Sequence, residues 1–196
     1  PIERIEQSIY HVDAAKKTDL LASLMSDPTH SRVIVFTRTK HRANRVAEKL
    51  GKGGVDAEAI HGNKSQGARQ RALKRFRDGN ARVLVATDIA ARGIDVDGVT
   101  HVINFELPNE PESYIHRIGR TARAGASGQA YSFCDPAERG YLRDIERLIQ
   151  RRLTVIGDEP PLSASEGLAK PHSRGKQPSR GQQPRHKRGR RRNGRQ

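Results

Sequence analysis

The 196-residue chain has no tryptophan, a single cysteine and only 4% aromatic residues. One cysteine excludes an internal disulfide framework, and Cys134, set in an apolar run, reads as a buried thiol without a redox role. No stretch suits a signal peptide or a transmembrane span, and no histidine or cysteine spacing suits a metal site. These absences lead to the expectation of a cytoplasmic protein that neither touches a membrane nor holds a metal of its own. A phosphate loop of the form G-x-x-x-x-G-K-[S/T] is absent too: Gly62-Asn63-Lys64-Ser65 has the wrong spacing. Acid is absent from the last part of the chain. Every Asp and Glu lies at or before Glu166, whereas 11 of the 37 Lys and Arg residues fall between 167 and 196. The first 166 residues therefore hold 26 basic against 22 acidic residues, about +4 of the total +15.

The basic end is rich in Gly, Pro, Gln, Ser and Arg, with no aromatic after Tyr141. Such a segment cannot bury enough apolar surface to fold, so a disordered tail is expected over 157–196, with Pro160-Pro161 closing the ordered part. Its partner would be a polyanion bound through phosphates. A purely solubilising tail is the plainer alternative.

Within the body, the most informative run is His116-Arg117-Ile118-Gly119-Arg120-Thr121-Ala122-Arg123-Ala124-Gly125. Three arginines and a histidine at 116, 117, 120 and 123 have the three- and four-residue spacing of one helix face. Arginine presents a permanent charge and a planar fork that fits phosphate oxygens. A solvated basic helix face would look similar. The glycines at 119, 125 and 128 and a second segment upstream argue for more than that. Val83-Leu84-Val85-Ala86 reads as a strand buried on both faces, breaking into Thr87-Asp88 and then Arg92-Gly93-x-Asp95. Open α/β sheets bind ligands in loops at the carboxyl ends of their strands, and a hydroxyl, an arginine and a carboxylate there suit a ribose-phosphate.

These two segments resemble motifs V and VI of the DEAD-box RNA helicases, a family of the second helicase superfamily. Val33-Ile34-Val35-Phe36-Thr37-Arg38-Thr39 is similar to motif IV. Ile60-His61-Gly62-Asn63 with Gln66-x-x-Arg69 is similar to the RNA-contacting segment that follows it. Val102-Ile103-Asn104-Phe105 resembles the strand between motifs V and VI. The likeness covers roughly residues 5–155, the C-terminal RecA-like domain, and HGNKSQGARQRAL with a basic tail looks most like the bacterial RhlE-type subgroup. Ala122 departs from the family's usual glycine; a methyl there is tolerable if the segment is helical. The Asp-Glu-Ala-Asp sequence is absent, as is the phosphate loop, so the chain reads as the second half of an enzyme. Pro1 opening straight into a strand agrees with a cut piece.

The pattern of the chain leads to the same fold. Strands are expected at Ile5–Val12, Arg32–Phe36, Ala57–His61, Val83–Thr87, His101–Phe105 and Ala130–Cys134. Helices are expected at Ala14–Ser26, with Leu20, Leu21 and Leu24 inward, and at His41–Lys52, Ser65–Asp78, Glu112–Gly119 and Pro136–Arg151. Alternation of this kind means an α/β domain, a RecA-like parallel β-sheet covered by helices on both faces, over residues 1–156.

By resemblance, Arg120 and Arg123 are arginine fingers for the γ-phosphate of ATP bound, with Mg²⁺, on an N-terminal RecA-like domain. Asp95 and Gly93 belong to the nucleotide half-site, with Asp95 at the ribose and orienting Arg120. His116 and Arg117 transmit the closed state, although His116 could also simply pack. Phe36 lies under the motif VI arginines. Thr87, Gly62, Asn63, Gln66, Arg69, Arg92 and Arg38 form the RNA-binding set, Gly62 standing just before a helix start whose free N–H groups attract anions. The fragment alone is expected to be inactive as an ATPase. Two further readings stay open: a stand-alone RNA-binding module, and the second domain of a DNA helicase.

Overall fold

The computed structural model describes residues 2–160. Seven strands make one sheet: β1 (Ile5–His11), β2 (Val33–Thr37), β3 (Ala57–Ile60), β4 (Val83–Thr87), β5 (His101–Asn104), β6 (Gly128–Cys134) and β7 (Thr154–Val155). Their order is β3-β4-β2-β5-β6-β1-β7, and every neighbouring pair runs parallel. Helices α1 (Lys17–Met25), α2 (Lys40–Lys52), α3 (Gln66–Arg77), α4 (Asp88–Ala91), α5 (Pro111–Ile118) and α6 (Arg139–Ile149) join them. The doubly covered parallel sheet expected from the alternation is the fold that forms.

β2 is buried at all five positions because its alternate side chains face two cores. Ile34 and Phe36 join Leu84, Ala86 and Ile60 under Leu73 and Phe76 of α3. Val33 and Val35 join Val83, Val85, Ile103 and Phe133 under Leu21 and Met25 of α1 and Val46 and Leu50 of α2. Further along the first face, Ile5, Ile9 and Ala130 are covered by Tyr114 and Ile118 of α5 and Leu142 and Ile145 of α6.

Most expected boundaries lie within two residues of the observed ones, and three differences are physical. β7 has only two residues, too few to show a pattern; it forms because Thr154 and Val155 pair with Ser8 and Ile9. The helix expected from Ala14 begins as a 3₁₀ turn, Ala14–Lys16, and the buried stripe of α1 is Lys17, Leu21 and Met25, with Leu20 and Leu24 half-buried. Lys17 turns inward because its ammonium lies 2.6 Å from Glu138 Oε2 and 3.3 Å from Asp135 Oδ2. The helix expected from Pro136 likewise starts as a 3₁₀ turn, closed by a reciprocal capping box between Asp135 and Glu138. Beyond Pro160, the expected tail lies outside the described residues. No helix among the described residues is long and apolar enough to cross a membrane.

At the amino edge of the sheet, His30 and His101 stack with ring centroids 3.9 Å apart, both buried. Neither ring nitrogen of His30 has a hydrogen-bond partner among the described residues. Burial, and then the neighbouring His30 ring, push His101 down to about 4; burial also lowers His30, against Asp27. Between about pH 6.5 and 4 the unfolded chain therefore takes up a proton that folded His101 refuses. Stability is full above the unfolded value and falls as the pH drops through that window. Urea unfolding from pH 7 to 4 is expected to show a loss of about 2–3 kcal/mol from this site. His101→Phe, which keeps a ring in the stack, should flatten the curve; an unchanged profile in that variant would refute the assignment.

Candidate functional site

Because all strands run parallel, their carboxyl ends meet along one edge. Thr37 pairs with Thr87 across β2 and β4, and Ile60 pairs with Ala86 across β3 and β4. The segments after β2, β3 and β4, read separately in the sequence, thus emerge side by side.

The 116–123 run does not form one helix face. α5 ends at Ile118, and Arg120 and Arg123 lie in the turns that follow. Ala122 and Ala124 take left-handed backbone, φ +55° and +54°, so the tolerance assumed for an alanine inside a helix does not apply. At 122 a glycine would meet no Cβ penalty, whereas alanine carries roughly 1–2 kcal/mol of strain. The turn is pressed onto the start of β6: a Cβ on Gly128 would lie within 2.7 Å of Thr121 and Ala122 N, so only glycine fits there. Thr121 closes the contact with a 2.5 Å hydrogen bond from its hydroxyl to Val99 O.

The four motif VI residues therefore differ in kind. Arg117 is buried, at 1% exposure. Its guanidinium grips Asp88 by two bonds, Nε to Oδ1 at 2.6 Å and a terminal nitrogen to Oδ2 at 2.7 Å. It also donates to Glu106 O (2.7 Å) and Asn104 Oδ1 (3.2 Å) and lies 5.2 Å from the centroid of Phe36. Phe36 thus packs against the motif VI arginines as expected, but against the buried one. Arg120 donates to Ile94 O (2.9 Å) and His116 O (3.3 Å). Burial and the nearby Arg123 charge press its guanidinium below the ordinary value, with Asp95 opposing, and an arginine stays charged at neutral pH regardless. Arg123 pairs with Asp95 Oδ1 at 2.5 Å and donates to Gly119 O. Asp95 was expected to orient Arg120; its observed partner is Arg123, while its carboxylate stays 85% exposed. His116 is exposed.

Arg117, Arg120 and His116 border a cleft of about 300 Å³ with Phe36, Asp88, Arg92, Gly93 and Ser113. Gly93 adopts φ +76° there, the turn that lets Arg92 and Asp95 leave the chain on the open side. α4 is a single turn, and its Ile89 is 74% exposed.

Toward β3, Gln66 and Asn63 are exposed and Thr87 is half-buried, with no side-chain cap bond to α4. α3 starts at Gln66 because the Ser65 hydroxyl accepts from Ala68 N at 3.1 Å. Arg69 reaches Ala90 O at 3.2 Å and so ties α3 to the motif V turn. The Asn63 N–H, expected to be free for phosphate, donates to His61 Nδ1 at 3.2 Å, and the Lys64 N–H donates to His61 O. Arg38, counted in the RNA set, is engaged inside the domain. It donates to Glu138 Oε1 at 2.7 Å and to Asn109, and stacks 5.4 Å from the Tyr141 centroid.

Three contributors were not singled out in the sequence: Asp88 as the partner of Arg117, Glu138 as the hub for Lys17 and Arg38, and Asn44, whose Oδ1 lies 2.8 Å from His61 Nε2. Asp88 stands beside Thr87 in motif V and was within sight. Asn44 carries no local signal, since its partner lies 17 residues away; for Glu138 only the capping-box spacing with Asp135 is local, and Arg38 and Lys17 lie 100 and 121 residues away.

The described geometry has counterparts. Residues 16–125 match the model of the helicase conserved C-terminal domain. Over 166 residues, 85% of this chain, it is 45% identical to the DEAD-box ATP-dependent RNA helicase CshA of Bacillus subtilis (strain 168), covering 34% of that protein. CshA of Geobacillus kaustophilus (strain HTA426) is 47% identical over 160 residues, with 82% and 34% covered. The chain thus spans about a third of the length of the curated relatives it matches. Among solved structures, the E. coli DEAD-box protein SrmB, bound to regulator of ribonuclease activity A, superposes with TM-score 0.75 at 40% identity. It covers 79% of this chain and 91% of that one. S. cerevisiae Dbp5 bound to RNA and ADP BeF3 superposes with TM-score 0.71 at 34% identity, covering 77% and 41%.

Proposed function

The chain belongs to the helicase conserved C-terminal domain family, and on that premise we propose that it is the C-terminal RecA-like half of a DEAD-box ATP-dependent RNA helicase. The observation that carries the reading is the carboxyl edge itself. It places two accessible guanidinium groups, Arg120 and Arg123, beside the exposed Asp95 carboxylate, with Thr87 and the Gly62–Asn63 turn at the ends of the neighbouring strands.

The residues fit half of a nucleotide site. Asp95 can accept from ribose hydroxyls, and Arg120, Arg123 and Arg92 suit phosphate oxygens. In this reading Mg²⁺ and the phosphate loop are supplied by an N-terminal RecA-like domain; the chain spans about a third of the length of its curated relatives. ATP held between the two domains would supply the phosphoryl group whose transfer to water these side chains assist. On this side, Arg120 and Arg123 place positive charge at the transferring phosphate, where it counts most in the transition state. Arg117, locked to Asp88, holds the end of α5 so that the turn bearing both fingers has a fixed root. His116 faces the domain boundary. A stand-alone RNA-binding module would have no use for such a finger pair.

RNA contacts fall to Thr87, Gln66, Asn63 and Arg92, with Arg69 securing the junction between their two segments. Contacts of this kind grip backbone without reading bases, and so suit many RNAs. Within the family, HGNKSQGARQRAL and the basic tail support an RhlE-type assignment, while the curated relatives cited are CshA proteins.

The tail offers a direct test of RNA as the partner. With about half of its eleven cations engaged, log K should fall against log[salt] with a slope of roughly −4. Deleting 167–196 should remove most of the affinity and most of that slope, measured by anisotropy with a single-stranded RNA. An unchanged affinity and slope would make the tail a solubilising appendage.

A further inference from the structure

His61 ends β3 with 4% exposure, its ring tied on both sides. Nδ1 accepts the Asn63 N–H at 3.2 Å, so it carries no proton. Nε2 must then be the protonated nitrogen, donating to Asn44 Oδ1 at 2.8 Å. A histidine that shows an acceptor to a backbone amide needs an acceptor on its other side to fix that tautomer. Asn44, projecting from α2, supplies it. Ring and amide together pin the turn that carries Gly62 and Asn63, which stands beside Thr87 because β3 and β4 pair in register.

We propose that Asn44 is a positioning residue for nucleic-acid binding: it holds His61 as the Nε2–H tautomer, and His61 sets the Gly62–Asn63 turn against the RNA backbone. The proposal rests on the reading of that turn as an RNA contact. The surroundings agree with a neutral ring. Burial lowers the His61 value, and Lys64, Lys40 and His41, the charged or titratable groups facing it from the turn and from α2, lower it further. An imidazolium would carry a proton on Nδ1 and could no longer accept from Asn63, so the turn loosens once His61 is protonated. In the native arrangement burial and the neighbouring cations oppose that protonation.

Two substitutions separate the parts. Asn44→Leu removes the acceptor from an exposed helix position and should leave folding intact. Asn44→Asp keeps an acceptor but stabilises the imidazolium, raising the pH at which the turn is lost. In the full-length helicase carrying this domain, Asn44→Leu is expected to raise the RNA concentration for half-maximal ATPase about fivefold, the worth of one hydrogen bond, with kcat at saturating RNA unchanged. Asn44→Asp should match wild type at high pH and, as the pH is lowered, weaken by about the same factor at a higher pH than wild type does. In the 196-residue chain, nitrogen-15 NMR of the imidazole should show a protonated Nε2 and a bare Nδ1.

Wild-type half-saturation in Asn44→Leu, a flat pH profile in Asn44→Asp, or a protonated Nδ1 at neutral pH would each overturn the proposal. Absence of RNA-stimulated turnover in the wild-type protein would instead overturn the helicase reading beneath it, leaving the tautomer measurement to decide the local geometry.

Discussion

Alanine at Arg120 or at Arg123, in the full-length protein, is expected to lower RNA-stimulated kcat at least tenfold, and up to about 10³-fold or more if each acts as a complete arginine finger. The structure makes this a clean experiment. Among the described residues, Arg120 donates to the main-chain oxygens of Ile94 and His116, and Arg123 to Gly119 O and the highly exposed Asp95. An exposed ion pair contributes about 0–1 kcal/mol, so either truncation should leave the fold nearly as stable as before. Nucleotide-free RNA affinity should also stay close to wild type, because both side chains serve the nucleotide half-site. Steady-state ATPase with saturating RNA reads the effect. Normal turnover in either variant would remove that residue from the finger assignment.

The neighbouring arginine should behave in the opposite way. Asp88→Ala strips Arg117 of its bidentate partner while the guanidinium remains buried, with only Asn104 Oδ1 and Glu106 O to satisfy it. Leaving a buried charge without its counter-ion costs about 3–5 kcal/mol. Chemical denaturation should show a loss of that order, far larger than for Arg120→Ala. Arg117→Met should be milder than Asp88→Ala, since it removes the charge along with its partner's role and leaves Asp88 partly in solvent. If Asp88→Ala left stability intact, the Arg117 network would not be what roots the end of α5.

This contrast marks where sequence reasoning stopped. Strand and helix alternation and the buried β-branched runs made the parallel sheet legible, and short segments such as Val83–Thr87 were read to the residue. Spacing alone grouped 116, 117, 120 and 123 on one helix, because a three- and four-residue rhythm persists in sequence after the helix itself has ended. The ending depends on the Gly119 turn and on Gly128 admitting the Thr121–Ala122 backbone, a close approach between segments with no local signature. Arg38, read as an RNA contact, and Lys17, not singled out, are each drawn to Glu138, 100 and 121 residues away. Asp95 was placed at the carboxyl edge but paired with Arg120, whereas Arg123, three residues further into the turns after α5, is the guanidinium that reaches it. Charges of this kind are sorted by tertiary pairing, which composition and periodicity do not record.

The central claim is that this domain completes an ATP site whose phosphate loop and metal lie on another domain. RNA-stimulated ATP turnover by the 196-residue chain alone, with contaminating ATPases excluded, tests it most directly. No turnover is predicted from the isolated chain, together with RNA-stimulated turnover from the full-length protein that depends on Arg120 and Arg123; hydrolysis by the chain alone would contradict the account.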